Sequence, residues 1–151
     1  MARMLTNKGK YGLKAMVHLA GLEPGRLALV SDVAHLNEVP KKFLDTIFAE
    51  LRNAGFVRSK KGRGGGYMLA RPAHEITVGQ IVRALDGPLA PIRCASENYY
   101  QRCDDCEDES RCAVHLVMAE VRNAIARTLD TRTLAEMRAM AIEPASLMYH
   151  I

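Results

Sequence analysis

The run FVRSKKGRGGGYMLARP, residues 56–72, decides how the rest of the chain is read. Residues 56–59 and 67–70 have the composition of two short strands, and the KKGRGGG between them reads as a glycine-rich hairpin tip bearing Lys60, Lys61 and Arg63. A triple glycine can also cradle a nucleotide phosphate. Here no Lys-Ser/Thr pair follows it and the stretch lies between strands, so that reading is poor.

Immediately upstream, Phe43, Leu44, Ile47, Phe48 and Leu51 recur at helical spacing, with Pro40 at the first helical position and Gly55 as a C-terminal stop. A tight break at residues 37–39 separates this helix from a shorter one over residues 32–36, for which Ser31 is the expected N-cap. Before that, LALV at residues 27–30 reads as a short extended piece and residues 21–25 as a turn. Residues 6–20 predict a first helix with Leu13, Met16, Val17 and Ala20 on one face and Lys8, Lys10 and Lys14 elsewhere.

Helix, turn, helix and basic hairpin is the order of a winged helix-turn-helix. In that geometry the second helix of the pair enters the major groove by its N-terminal end, while the wing lies along the backbone or minor groove. Lys41, Lys42, Asp45 and Thr46 fall on the outward, N-terminal face of the reading helix. Lysines there suit phosphate or guanine, and a carboxylate suits cytosine N4. Two lysines on a helix face are equally compatible with simple solvation. The charge distribution favours double-stranded DNA instead: residues 1–72 hold 13 Lys/Arg against 5 Asp/Glu, a balance of +8, whereas residues 73–151 hold 8 against 12, a balance of −4.

Downstream, Thr77 is placed to cap a helix over residues 78–85 that turns Ile81, Val82 and Leu85 inward and stops at Asp86-Gly87-Pro88. All four cysteines then follow within CASENYYQRCDDCEDESRCAVH, residues 94–115, spaced Cx8Cx2Cx5C, with His115 three residues after the last. Thiolates and an imidazole so close together can hold a soft metal ion or an iron-sulfur cluster. Val114, Val117, Met118, Val121, Ala124, Ile125 and Leu129 next mark a long amphipathic helix, read as a dimer contact because two half-sites require two copies of a reader. Thr133 opens a last short helix, LAEMRAMA, and EPASLMYHI at residues 143–151 is a tail.

At 151 residues and 48% hydrophobic content, the chain supports one compact domain plus an extension. The expected fold is mainly α with a small β-hairpin. It divides into a winged helix-turn-helix domain (1–88), a cysteine-rich cluster-binding loop (89–112), and a long dimerisation helix with a C-terminal helix and tail (113–151). No apolar run is long enough for a bilayer and no signal peptide is visible, which points to a cytoplasmic protein without a membrane partner. In such a reducing compartment, clustered cysteines are more often ligands or redox switches than structural disulfides.

The segment RNAGFVRSKKGRGGGYMLARPAHEITVGQIVRALDG, followed by a cysteine cluster and an amphipathic helix, resembles the Rrf-type winged-helix transcription regulators, closest in pattern to the iron-sulfur-cluster regulator IscR. The likeness runs from about residue 4 to about residue 141. It implies a homodimeric DNA-binding regulator whose promoter affinity follows the state of an iron-sulfur cluster; no Ser-His-Asp set, paired acids or cofactor fingerprint in the sequence supports an enzyme. It further implies a repressor of iron-sulfur assembly or iron-homeostasis genes. IscR-like members use three cysteines and a histidine, which correspond here to Cys94, Cys106, Cys112 and His115. This chain departs in having a longer loop between Cys94 and Cys106 and an additional Cys103, so His115 or Cys103 completes the ligand set. Where some relatives supply a carboxylate from the first helix of the other subunit, this chain has Lys10, and no such ligand is expected. The donor set favours [2Fe-2S] and also accommodates [4Fe-4S]. Three alternatives remain open at this level: a structural zinc on the same residues, a metal-free thiol switch through Cys103 and Cys106 or another pair, and a cluster-bearing electron carrier.

Overall fold

Thr6 accepts a hydrogen bond from the Gly9 amide (3.2 Å) and starts α1 (Asn7–Ala20). The computed structural model describes residues 4–142; the tail at residues 143–151 lies outside the described residues. α1 buries Leu13, Ala15, Met16 and Leu19 against α3 (Lys41–Asn53) and α4 (Val78–Asp86). The apolar stripe of α3 does what its spacing predicts: Leu44, Ile47, Phe48 and Leu51 are wholly buried, and such side chains contribute about 1.5–3 kcal/mol each.

The helix preceding α3 differs from its expected start. α2 (Val30–Asn37) has Leu29 at its N-cap with no side-chain cap, and Ser31 lies inside the helix. The cause is tertiary. Ala28 pairs with Tyr67 through two backbone hydrogen bonds (2.9 and 2.8 Å), which ends the extended piece at residue 28 and lets the helix begin at once. Pro40 is likewise one position earlier than expected, at the N-cap of α3. Glu38, in the left-handed region (φ 54°), makes the turn between α2 and α3, and the Val39 amide donates to the Ala34 carbonyl at 2.9 Å.

The expected hairpin forms with each strand shifted by one residue: β1 (Val57–Lys60) runs antiparallel to β2 (Gly66–Leu69), and Lys60 and Gly66, expected in the tip, face each other as a strand pair. Gly62 and Gly64, at φ +90° and +75°, turn the tip. Tyr67 stacks on Phe48 (centroids 4.5 Å apart, planes 9° apart), so the wing is held directly against the reading helix. Together these elements make a winged helix-turn-helix, mainly α with one small hairpin.

Thr77 caps α4 in a reciprocal capping box with Gln80 (3.2 and 3.0 Å), as its position predicts. Past the cysteine loop come α5 (Ala113–Thr131) and α6 (Leu134–Ile142). Around Thr133 the chain returns to α4: the Val78 amide donates to Arg132 O (2.9 Å) and the Leu134 amide to Ile76 O (2.8 Å). Arg83 reaches Asp130 through two hydrogen bonds (2.5 and 2.8 Å). α6 buries Leu134 in the same core.

The long apolar stripe of α5 is divided by this packing. Ile125 and Leu129 lie against the core, while Val114, Val117 and Val121 remain 59%, 52% and 37% exposed. Among the described residues no helix is long and apolar enough to cross a membrane.

Candidate DNA interface and cysteine site

Two surfaces carry the residues singled out from the sequence. On the first, Lys41, Lys42, Asp45 and Thr46 are all exposed on the opening turns of α3, opposite its buried stripe. Lys41 and Asp45 form an ion pair at 3.2 Å, so the carboxylate has a cationic neighbour on the face where phosphate would otherwise repel it. Lys60, Lys61 and Arg63 are exposed on the wing. None of the three is in an ion pair among the described residues, which leaves their charge available to a polyanion.

The second surface brings together residues up to 21 positions apart. Cys94 sits in a 3-10 turn (Arg93–Ala95) and is buried. Cys112 is the N-cap residue of α5, its sulfur accepting from the His115 amide at 3.5 Å. The His115 ring lies one turn into the helix, with Nδ1 3.3 Å from Cys94 Sγ. Cys103 and Cys106 are half-buried on the loop between. All five line one open cavity of about 580 Å³, together with Asp105, Glu107, Asp108 and Arg111. The four thiols are close enough to influence one another's ionisation, Cys103 responding most to Cys94 and, among the thiols, Cys106 most to Cys112. The contact with Cys94, then burial and nearby negative groups, push the Cys103 thiol up. Burial first and the Cys112 sulfur second push up that of Cys106.

The donor set fits an iron-sulfur cluster by chemistry, since soft sulfur with an imidazole is what such clusters take. Among the described residues no three of these donors are arranged to hold a single metal ion.

Several residues that position the site were not singled out from sequence. The Arg122 guanidinium donates to the Ala95 carbonyl at 2.5 Å and lies 3.8 Å from Glu97, fixing the Cys94 turn to the middle of α5. Arg102 donates to the carbonyls of Cys106 and Glu107 (2.9 and 2.7 Å), and Tyr100 donates to Glu109. Nothing in their local spacing announces these roles, because each partner is met only after the loop has folded back.

The Rrf2 family model, described as an iron-dependent transcriptional regulator, matches residues 5–139. A protein of Rhodobacter capsulatus described as an rrf2-like HTH-type transcriptional regulator is 38% identical over 148 residues, 96% of this chain and 99% of that one. The HTH-type transcriptional regulator IscR of Vibrio campbellii is 30% identical over 133 residues, 88% of this chain and 76% of the relative. Among solved structures, CymR, the global cysteine regulator of B. subtilis, matches with a TM-score of 0.73 at 30% identity, covering 92% of this chain and 98% of that one. T. potens IscR matches with a TM-score of 0.72 at 31% identity, covering 91% and 87%.

Proposed function

The chain belongs to the Rrf2 family of transcriptional regulators, and from that premise we propose that it is a cytoplasmic homodimer whose hold on promoter DNA is set by an iron-sulfur cluster on the cysteine site. The genes it governs are those of iron-sulfur assembly or iron homeostasis, and its action is repression. The observation that carries this reading is the gathering of Cys94, Cys103, Cys106, Cys112 and His115 around one cavity at the N-terminus of α5. That helix presents Val114, Val117 and Val121 outward, an apolar strip suited to a second copy.

When bound, the cluster supplies a redox-responsive centre whose presence depends on iron supply. The protein's own residues turn that presence into geometry. Cys94 belongs to a turn anchored on α5 by Arg122, and Cys112 and His115 belong to the first turn of α5 itself. Engaging these residues together with Cys103 and Cys106 holds the loop against the start of the dimer helix. The far end of α5 is bound to the winged domain through Arg83 and Asp130. The setting of α5 therefore determines how two winged domains face two half-sites. Lys41, Lys42, Asp45 and Thr46 read the major groove, and Lys60, Lys61 and Arg63 grip backbone or minor groove.

A metal-free thiol switch, through Cys103 and Cys106 or another pair, is the second reading, favoured by four free thiols lining one cavity. Anaerobic purification with iron, sulfide and zinc assayed per chain, alongside operator binding with and without iron, separates these readings. Iron with equimolar sulfide and cluster-dependent binding supports the proposal. Binding that responds to oxidant without iron replaces it with the thiol switch, and stoichiometric zinc replaces it with a structural site.

A further inference from the structure

Away from the cysteine site, the base of the wing borders a second cavity of about 450 Å³. Its apolar lining comes from Leu19 and Leu22 near the end of α1 and from Met68 and Leu69 of β2. Three arginines converge on it from separate segments. Arg26 follows Gly25 (φ +81°) in a turn closed by its own amide, which donates to the Glu23 carbonyl at 3.0 Å. Arg58 is the strand partner of Met68 and points away from the hairpin face that buries Val57. Arg71 follows β2, where the Ala70 amide donates to the Phe56 carbonyl at 2.9 Å, and its guanidinium carbon lies 4.9 Å from the centre of the Phe56 ring. Glu23 also lines the cavity, which leaves an excess of two positive charges. Among the described residues none of the three arginines is in an ion pair, and Arg71 Nε is buried with no hydrogen-bond partner.

A buried guanidinium N–H without an acceptor costs free energy that an oxyanion removes. Guanidiniums suit carboxylate and phosphate oxygens in particular, because their donors form a rigid planar fork. A cavity of this volume falls in the range that takes a small molecule. We propose that it binds a small organic anion, a carboxylate or phosphate on an apolar body, with Arg71 as the oriented donor and Arg26 and Arg58 as the surrounding charge. The cavity shares no lining residue with the cysteine site, so this is a second ligand site, on the DNA-reading domain itself. DNA backbone is the rival occupant, because Arg58 also borders a neighbouring cavity that reaches Lys60 of the wing. The apolar lining favours the small molecule: a phosphodiester strand brings charge to Arg58 but nothing apolar to Leu19, Leu22 and Leu69.

The test titrates the isotope-labelled 151-residue chain with phenyl phosphate, benzoate, inorganic phosphate and phenol, reading the arginine Nε–H and backbone amide resonances by nuclear magnetic resonance. Phenyl phosphate or benzoate is expected to shift the Arg71 Nε–H and the amides of Arg26, Arg58 and Met68, saturating at about millimolar concentration; whichever of the two binds more tightly names the head group. Inorganic phosphate and phenol, each lacking one half of the ligand, are expected to bind at least about tenfold more weakly. Arg71→Gln and Arg58→Gln are each expected to weaken binding about tenfold, and Arg71→Lys, which keeps the charge but loses the fork, by less than Arg71→Gln. Far-UV circular dichroism reports folding, and exposed Arg58 supplies a variant that tests the site even if Arg71→Gln unfolds. In parallel, the slope of log operator affinity against log salt is expected to be unchanged in Arg58→Gln. Failure of both phenyl phosphate and benzoate to shift these resonances overturns the proposal, and so does inorganic phosphate or phenol binding as tightly as they do. A slope lowered by about 0.9 in Arg58→Gln also overturns it and gives the arginines to the DNA backbone.

Discussion

Gly66→Ala is expected to unseat the wing. Gly66 has φ +150°, and a methyl group built there would stand 2.3 Å from the Ala28 carbonyl oxygen and 2.7 Å from its carbonyl carbon. Both obstacles are backbone, so relief requires β2 and the Ala28 segment to part. That breaks the two hydrogen bonds between Ala28 and Tyr67 (2.9 and 2.8 Å). Two such bonds at about 1 kcal/mol each, with strain of about 1–3 kcal/mol for the unfavourable φ, place the loss at about 3–5 kcal/mol. The total stability of a chain this size is about 5–15 kcal/mol. Gly64→Ala is the control: φ is +75° but nothing lies within 4 Å, so only the left-handed conformation is penalised, by about 1–2 kcal/mol. Urea unfolding followed by far-UV circular dichroism, with m-values compared, measures both. If Gly66→Ala is no more destabilising than Gly64→Ala, the Ala28 and Tyr67 pairing does not seat the wing and the argument is wrong.

Val117→Asp puts a charge on the exposed strip of α5; it is expected to weaken self-association about tenfold or more while leaving the monomer folded, read by sedimentation and circular dichroism. Lys61→Gln and Arg63→Gln are each expected to lower the slope of log affinity against log salt by about 0.9 with base preference unchanged, measured on operator and mutated operators. A changed base preference without weaker binding would show that these side chains read bases. Glu38→Gly relieves the left-handed turn between α2 and α3 and is expected to add about 0.5–1 kcal/mol in the same urea assay. Because Cys103 and Cys106 hold their protons more tightly in the folded, metal-free protein than unfolded, their contribution is complete below the ordinary thiol range and is lost as pH rises through it. The melting temperature of reduced apoprotein should therefore fall between neutral pH and about pH 10 more steeply than that of a Cys103→Ser, Cys106→Ser double variant; parallel curves would refute the point.

The division of labour between sequence and fold follows the range of the forces involved. The stripe on α3, the glycines of the wing tip and the Thr77 cap are local features: each depends on residues within a few positions of one another, and their spacing already states the periodicity or φ that they require. The family resemblance and the grouping of four cysteines with a histidine were legible for the same reason. Ser31 misled because its capping preference is also local, whereas the start of α2 is set by Ala28 pairing with a residue 39 positions away. The split of the α5 stripe into a packed half and an exposed half depends on Arg83, Thr77 and Ile76 lying against the Asp130 to Leu134 segment, contacts that no periodicity within α5 encodes. At the cysteine site, spacing alone gathered four cysteines and a histidine into one short stretch. Only tertiary structure could bring Cys94 within 3.3 Å of His115, 21 positions away, because that meeting is chosen by the path of the backbone between them, and here Arg102, Arg122 and the first turn of α5 choose that path.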